Sequence, residues 1–103
     1  MARIFETKDK SGRTIYLTDE RWNHILKHQE MSNQTEQIKD ALLRPDKITE
    51  VDYDPDVRFY YRYYKNRKEY LFVSVKYLNG EGFIITAYLT DRIKAGVQIW
   101  KRP

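Results

Sequence analysis

Tyr70-Leu71-Phe72-Val73-Ser74-Val75-Lys76 and, past a glycine-containing break, Phe83-Ile84-Ile85-Thr86-Ala87-Tyr88-Leu89-Thr90 decide the fold. Side chains alternate across a strand, so each stretch sorts into two sets. In the first, Leu71, Val73 and Val75 oppose Tyr70, Phe72, Ser74 and Lys76. In the second, Phe83, Ile85, Ala87 and Leu89 oppose Ile84, Thr86, Tyr88 and Thr90. One face of each is apolar, as expected of half-buried strands. Upstream, 57–64 has the same enrichment in Val, Tyr and Phe. Breaks at Lys65-Asn66-Arg67-Lys68 and Leu78-Asn79-Gly80-Glu81-Gly82 separate three antiparallel strands, 57–64, 69–77 and 83–90, in a meander.

The flanking chain is read from there. Ser11-Gly12, between Ile4/Phe5 and Ile15/Tyr16/Leu17, predicts a short N-terminal hairpin. Thr18 followed by Asp19 and Glu20 predicts a helix N-cap, and Trp22, Ile25 and Leu26 at i, i+3 and i+4 stripe a helix over 19–29. Ser32 or Asn33 caps a second helix, striped by Ile38, Ala41 and Leu42 and stopped by Pro45 after Arg44. Thr90 or Asp91 opens a short C-terminal helix through Lys94, Gly96 ends it, and 97–100 forms a closing strand. The expected architecture is α+β: two N-terminal helices packed on one face of a three- to four-stranded antiparallel sheet, with a short N-terminal hairpin and a short C-terminal helix. The 103 residues suffice for a single domain, 1–103.

Composition narrows the chemistry. Hydrophobic residues at 41% and aromatics at 15% indicate a globular chain. Zero cysteines exclude disulfides, thiolate nucleophiles and zinc-ribbon or iron–sulfur sites. No apolar run approaches the ~18 residues of a membrane span, and the N-terminus lacks the apolar core of a signal peptide. The expected setting is cytoplasmic, with no membrane partner. A net charge of +4 and a pI near 9.3 favour a polyanionic partner. Charge is also patterned: Asp46, Glu50, Asp52, Asp54 and Asp56 precede Arg58, Arg62, Lys65, Arg67 and Lys68.

Strand parity turns this into a candidate surface. A three-residue loop at Asn79-Gly80-Glu81 sets Ser74 beside Thr86, and one at Asn66-Arg67-Lys68 sets Arg62 beside Phe72, Tyr60 beside Ser74 and Arg58 beside Lys76. The face away from the helices then carries Arg58, Tyr60, Arg62, Ser74, Lys76, Thr86, Tyr88 and Thr90. Such a face binds an anion or is simply solvated.

His24 and His28, the only histidines, stand at i and i+4 of the first expected helix. With Arg21 they fall within about 60° of one another around it. His is suited to proton transfer near neutrality. The zincin pattern needs Glu after the first His, where Ile25 stands, so a metal site is not expected. Gly-x-Ser-x-Gly and phosphate-loop patterns are also missing. A histidine, several cations and Tyr, Thr and Ser hydroxyls fit phosphodiester cleavage without a metal or cofactor. In that scheme a ribose 2′-OH is the nucleophile, His24 or His28 takes its proton, and Arg and Lys stabilise the added charge. His24 is favoured as the base. Boundary histidines at the edge of a core are the alternative.

Arg21-Trp22-Asn23-His24-Ile25 with His28-Gln29-Glu30, Leu43-Arg44-Pro45-Asp46-Lys47-Ile48, Tyr60-Tyr61-Arg62, 70–76 and 83–88 together resemble the small phage- and mobile-element-associated nucleases grouped with barnase, EndoU, colicin and RelE-type toxins. The resemblance implies helices followed by a four-stranded antiparallel sheet and metal-independent RNA cleavage. Carried over by position, it implies a site of His24 or His28, Arg62, Lys76, Thr86 and Tyr88, with RNA as partner. Arg21, Arg58, Tyr60, Ser74 and Thr90 are candidate RNA contacts. Two other readings stand beside it: a non-catalytic RNA-binding module, and a toxin/antitoxin-type protein-interaction domain whose partner is a protein inhibitor.

Overall fold

In the computed structural model, which describes residues 2–94 and 96–103, Thr18 caps the first helix as expected. Its Oγ1 accepts from the Arg21 amide at 3.2 Å, and Asp19 and Glu20 occupy the positive end of the dipole. The helix, α1 (Asp19–Ile25), is shorter than the expected 19–29. The next positions of its apolar stripe would be residues 28 and 29, which are His and Gln, so continuing it would bury nothing apolar. Instead the chain turns at Leu26–His28 into a single 3-10 turn (Gln29–Met31) that buries Met31. His28 itself has extended backbone, φ −90° and ψ 97°. The helix α2 (Thr35–Leu43) buries Ile38, Ala41 and Leu42. Its N-cap is Gln34, with no side-chain hydrogen bond, where Ser32 or Asn33 was the expectation.

The strands are β1 (Arg3–Lys8), β2 (Thr14–Thr18), β3 (Lys47–Val51), β4 (Asp54–Tyr64), β5 (Glu69–Leu78), β6 (Glu81–Thr90) and β7 (Val97–Lys101). They form one seven-stranded sheet in the order β1-β2-β6-β5-β4-β3-β7. This corrects the expected three- to four-stranded antiparallel sheet. The N-terminal hairpin extends the sheet through a short parallel contact of Ile15 and Tyr16 with Gly82 and Phe83, and β3 and β7 extend the other edge. The parallel contact requires Gly82: a Cβ there would lie 2.5 Å from Ile15 Cδ1 and 2.9 Å from Val75 Cγ1. The short C-terminal helix is not found over 91–94, where Thr90 Oγ1 instead accepts from the Arg92 amide in a bend.

Turn geometry sets the register. Leu78 pairs with Glu81 around Asn79 and Gly80, both at positive φ, the signature of a two-residue turn. Ile85 is then an extra residue that shifts the register, so Ser74 meets Thr86 and Ile84 turns to the helix side. Between β4 and β5 the loop has four residues, 65–68, with Lys68 at φ 55°. Consequently Arg62 pairs with Leu71, Tyr60 with Val73 and Arg58 with Val75, one residue away from the expected register. That slip moves Arg58, Tyr60 and Arg62 to the helix-covered face. Hydrophobic alternation did not specify β4 because both its faces are aromatic: Tyr60 on one, Phe59 and Tyr61 on the other.

The helix-covered core joins Ile25, Met31, Ile38, Ala41 and Leu42 to Leu71, Val73, Val75, Ala87, Ile15 and Leu17, each fully buried aliphatic side chain contributing ~1.5–3 kcal/mol of transfer energy. At one end, Asp9 of the β1–β2 turn is 1% exposed. Its carboxylate accepts from the Ser11 and Arg13 amides, both at 2.9 Å, and from the Tyr77 hydroxyl at 2.8 Å, which also hydrogen-bonds Tyr60. These bonds tie the hairpin to β4 and β5. The opposite face carries a smaller core of Val51, Val57, Phe59, Tyr61 and Phe72, with Tyr70, Ile85, Tyr88 and Ile93 at its margin.

Candidate active site

The uncovered face of β4, β5 and β6 forms the floor of a cleft of about 440 Å³. Alternation places Val57 and Phe59, Phe72, Ser74 and Lys76, then Thr86 and Tyr88 on this floor. Tyr53 of the β3–β4 turn and Asp54 at the start of β4 make one wall, and Lys94 of the segment after β6 makes the other. The Lys94 amide donates to the Tyr61 hydroxyl at 3.0 Å, fastening that segment to the sheet. The aromatic rings are continuous: Phe59 and Phe72 centroids are 4.9 Å apart, Phe72 and Tyr88 4.8 Å.

His28 reaches this face from the helix layer. Because β2 pairs with β6 only at Gly82 and Phe83, the later part of that edge of β6 has α1 and the 3-10 turn beside it. From there the exposed His28 ring lies 5.3 Å from the Tyr88 ring, tilted by 41°. The early end of α1 makes this possible, since a helix continued to residue 29 would have kept His28 on the His24 side.

Two lysines sit in the cleft in different states. Lys76 Nζ donates to Asp54 Oδ2 at 2.9 Å, and the contact holds the Asp54 carboxyl below and the Lys76 ammonium above their ordinary ranges. The Asp56 amide also donates to Asp54 Oδ1, at 3.0 Å. Lys94 Nζ lies 5.5 and 5.6 Å from the centroids of Phe72 and Tyr88. The neighbouring Tyr88 side chain raises the Lys94 pKa. No carboxylate lies within ion-pair distance of Lys94 among the described residues. Ser74, 5% exposed, and Thr86 add hydroxyl-bearing side chains between the lysines.

The structure thus brings together His28, Ser74, Lys76, Thr86 and Tyr88 from the expected set. Thr90 ends the same row, its hydroxyl held in the bend with Arg92. The others lie elsewhere. His24 is exposed on α1, and Arg21 borders a depression with Tyr16, Thr18 and Phe83. Arg62 pairs with Asp40 at 3.3 Å and donates to the Arg44 carbonyl. Arg58 pairs with Glu50 at 3.8 Å. Tyr60 is buried against Tyr77. The expected convergence of Arg58, Arg62 and Lys76 as an anion-binding face is therefore corrected: two are on the other face, and all three have a carboxylate partner.

Sequence reasoning missed Lys94, Tyr53 and the inward role of Asp54. Asp54 was visible only as one of a run of acids, and Lys94 lay in a segment expected to be helical. No cluster of three or more His, Asp or Glu side chains suited to a metal ion occurs among the described residues, and no helix is long and apolar enough to cross a membrane. An imidazole, an ammonium, hydroxyls and packed rings around an open groove are a chemical set suited to a phosphodiester. Neither the curated proteins nor the solved structures compared with the chain include a significant match. The family described as phage-Barnase-EndoU-ColicinE5/D-RelE like nuclease2 matches residues 2–101. With nearly its whole length matched, this chain belongs to that nuclease family.

Proposed function

We propose that the protein is an endoribonuclease that cleaves RNA by attack of a ribose 2′-OH on the adjacent phosphodiester, with no metal in the reaction. The observation that carries this is His28 packed at a tilt against Tyr88 beside Lys94, at the rim of an aromatic cleft. His28, in preference to His24, takes the 2′-OH proton. The freed oxygen bonds to phosphorus, and the extra negative charge meets the Lys94 ammonium and the Tyr88 hydroxyl. The P–O5′ bond then breaks, and the leaving oxygen takes a proton from the Lys94 ammonium. The products are a 2′,3′-cyclic phosphate and a 5′-hydroxyl. The half-buried Tyr88 offers its ring to an unpaired base, so the substrate is single-stranded at the cleavage point.

The test is incubation of pure protein with end-labelled RNA in EDTA, beside the same RNA with one 2′-deoxy nucleotide at the cleavage point. Cleavage to a cyclic phosphate, blocked by the deoxy substitution, is expected. Cutting of the deoxy RNA, or loss of cleavage on chelation, would overturn the mechanism.

A further inference from the structure

The cleft has a second end that the chemistry above does not use. Phe72, under Lys94 and next to Tyr88, is four residues from Lys76 on β5, a span of about 13 Å. That is several times the ~3.4 Å rise per nucleotide of a stacked strand, so a chain lying along the cleft presents different nucleotides to its two ends. At the Lys76 end stands Tyr53, 82% exposed at the tip of the β3–β4 turn, with the only carboxylate lining the cleft among the described residues, Asp54. Asp54 presents an anionic oxygen to Lys76 Nζ at 2.9 Å, as a phosphate oxygen would. An ammonium has three donors, so this single contact leaves Lys76 able to bind a second anion or to exchange the first.

We propose that Lys76 and Tyr53 form a separate nucleotide subsite, taking a phosphodiester and a stacked base of single-stranded nucleic acid, and that Asp54 occupies its phosphate position in the free protein. The inference rests on the cleft being the RNA site. The subsite fixes where a chain must extend beyond the cleavage point, and Asp54 sets how much that extension gains. A phosphate arriving at Lys76 must displace the carboxylate, which keeps its second anchor on the Asp56 amide. Chains too short to reach Tyr53 then gain nothing from this end.

The experiment is calorimetric titration of the whole chain with an all-2′-deoxy dinucleotide and tetranucleotide, which bind without being cleaved, over a salt series. The tetranucleotide is expected to bind roughly tenfold more tightly than the dinucleotide, as one added stacking contact provides. Tyr53→Ala and Lys76→Gln should each remove most of that gain. Asp54→Asn, nearly isosteric, should tighten the tetranucleotide severalfold and steepen its salt slope by about 0.7, the value of one further phosphate contact. Melting curves identify any variant that has lost its fold, and Lys76→Met stands in for Lys76→Gln in that case. An unchanged affinity and slope in Asp54→Asn, or a length gain that survives Lys76 substitution, overturns the subsite. Wild-type binding of both lengths with equal affinity overturns the subsite alone, whereas binding of neither overturns the RNA reading with it.

Discussion

The two faces of β4 and β5 use their cations in different ways. On the helix-covered face, Arg62 is held by Asp40 and the Arg44 carbonyl, Arg58 by Glu50, and Arg13 by the buried Asp9. These groups fasten α2, β3 and the N-terminal hairpin to the sheet. On the open face, Lys94 lies over aromatic rings, and His28 packs at a tilt against Tyr88. A charge held by a structural partner, as those of Arg58 and Arg62 are, is little use to a substrate, whereas Lys76 on the open face keeps a single, exchangeable contact with Asp54, so the counts of Arg and Lys are a poor guide to where an anion binds. What decides is the partner each cation already has.

The sharpest contrast to break is between the histidines. Loss of a general base costs ~10²–10⁴-fold in rate, so His28→Ala should lose that much cleavage while its melting curve stays close to wild type. His24→Ala should retain most of its rate. Equal losses in single-turnover assays would erase the distinction that the end of α1 draws between them.

The structural face is probed at Asp9. Asp9→Ala leaves the Tyr77 hydroxyl with Tyr60 alone and removes the acceptor of the Ser11 and Arg13 amides, so urea unfolding should show a loss of about 2–4 kcal/mol. Cleavage per folded molecule should be unchanged. Burial pushes the Asp9 carboxyl up, but hydrogen bonds from Ser11, Tyr77 and Arg13 outweigh it, and the pKa lies below the ordinary 3.8. A depressed acid stabilises the fold fully above its unfolded pKa and loses that contribution as pH falls through its folded one. The stability gap between wild type and Asp9→Asn should therefore be constant above about pH 5 and shrink below 3.8. A gap that widens in acid would contradict this.

Much of the molecule was legible in its residues, and the failures lie where a turn, a helix end or a tertiary contact decides. Thr18 as a cap, the Ile38/Ala41/Leu42 stripe and the three-strand meander follow from local chemistry. The β4 register did not, because Tyr60 and Tyr61 are both suited to burial and the choice fell to a turn with Lys68 in the left-handed region. The same slip misplaced Arg58, Tyr60 and Arg62. The i, i+4 pairing of His24 and His28 held only while the helix did, and polar residues at 28 and 29 removed its reason to continue. Lys94 acquires its place from a tertiary contact with Tyr61 that no local pattern announces.

Smaller effects sharpen the contrast among cations. Lys94→Ala should weaken binding of a deoxy oligonucleotide severalfold and flatten its salt slope by about 0.7. Arg62→Ala, losing a partly exposed ion pair with Asp40, should cost at most about 1 kcal/mol of stability and leave the slope unchanged. Equal slope changes in the two would mean that net charge alone attracts the nucleic acid.

The most direct measurement is amide chemical-shift mapping on the whole protein during titration with a short all-2′-deoxy oligonucleotide. Binding in the cleft predicts that the largest shifts fall on Ser74, Lys76, Thr86, Tyr88 and Lys94, with His28 moving alongside them. Shifts concentrated instead on Lys10, Arg58, Arg62 and Trp100 would place the nucleic acid on the helix-covered side and contradict the assignment of the site to the open face.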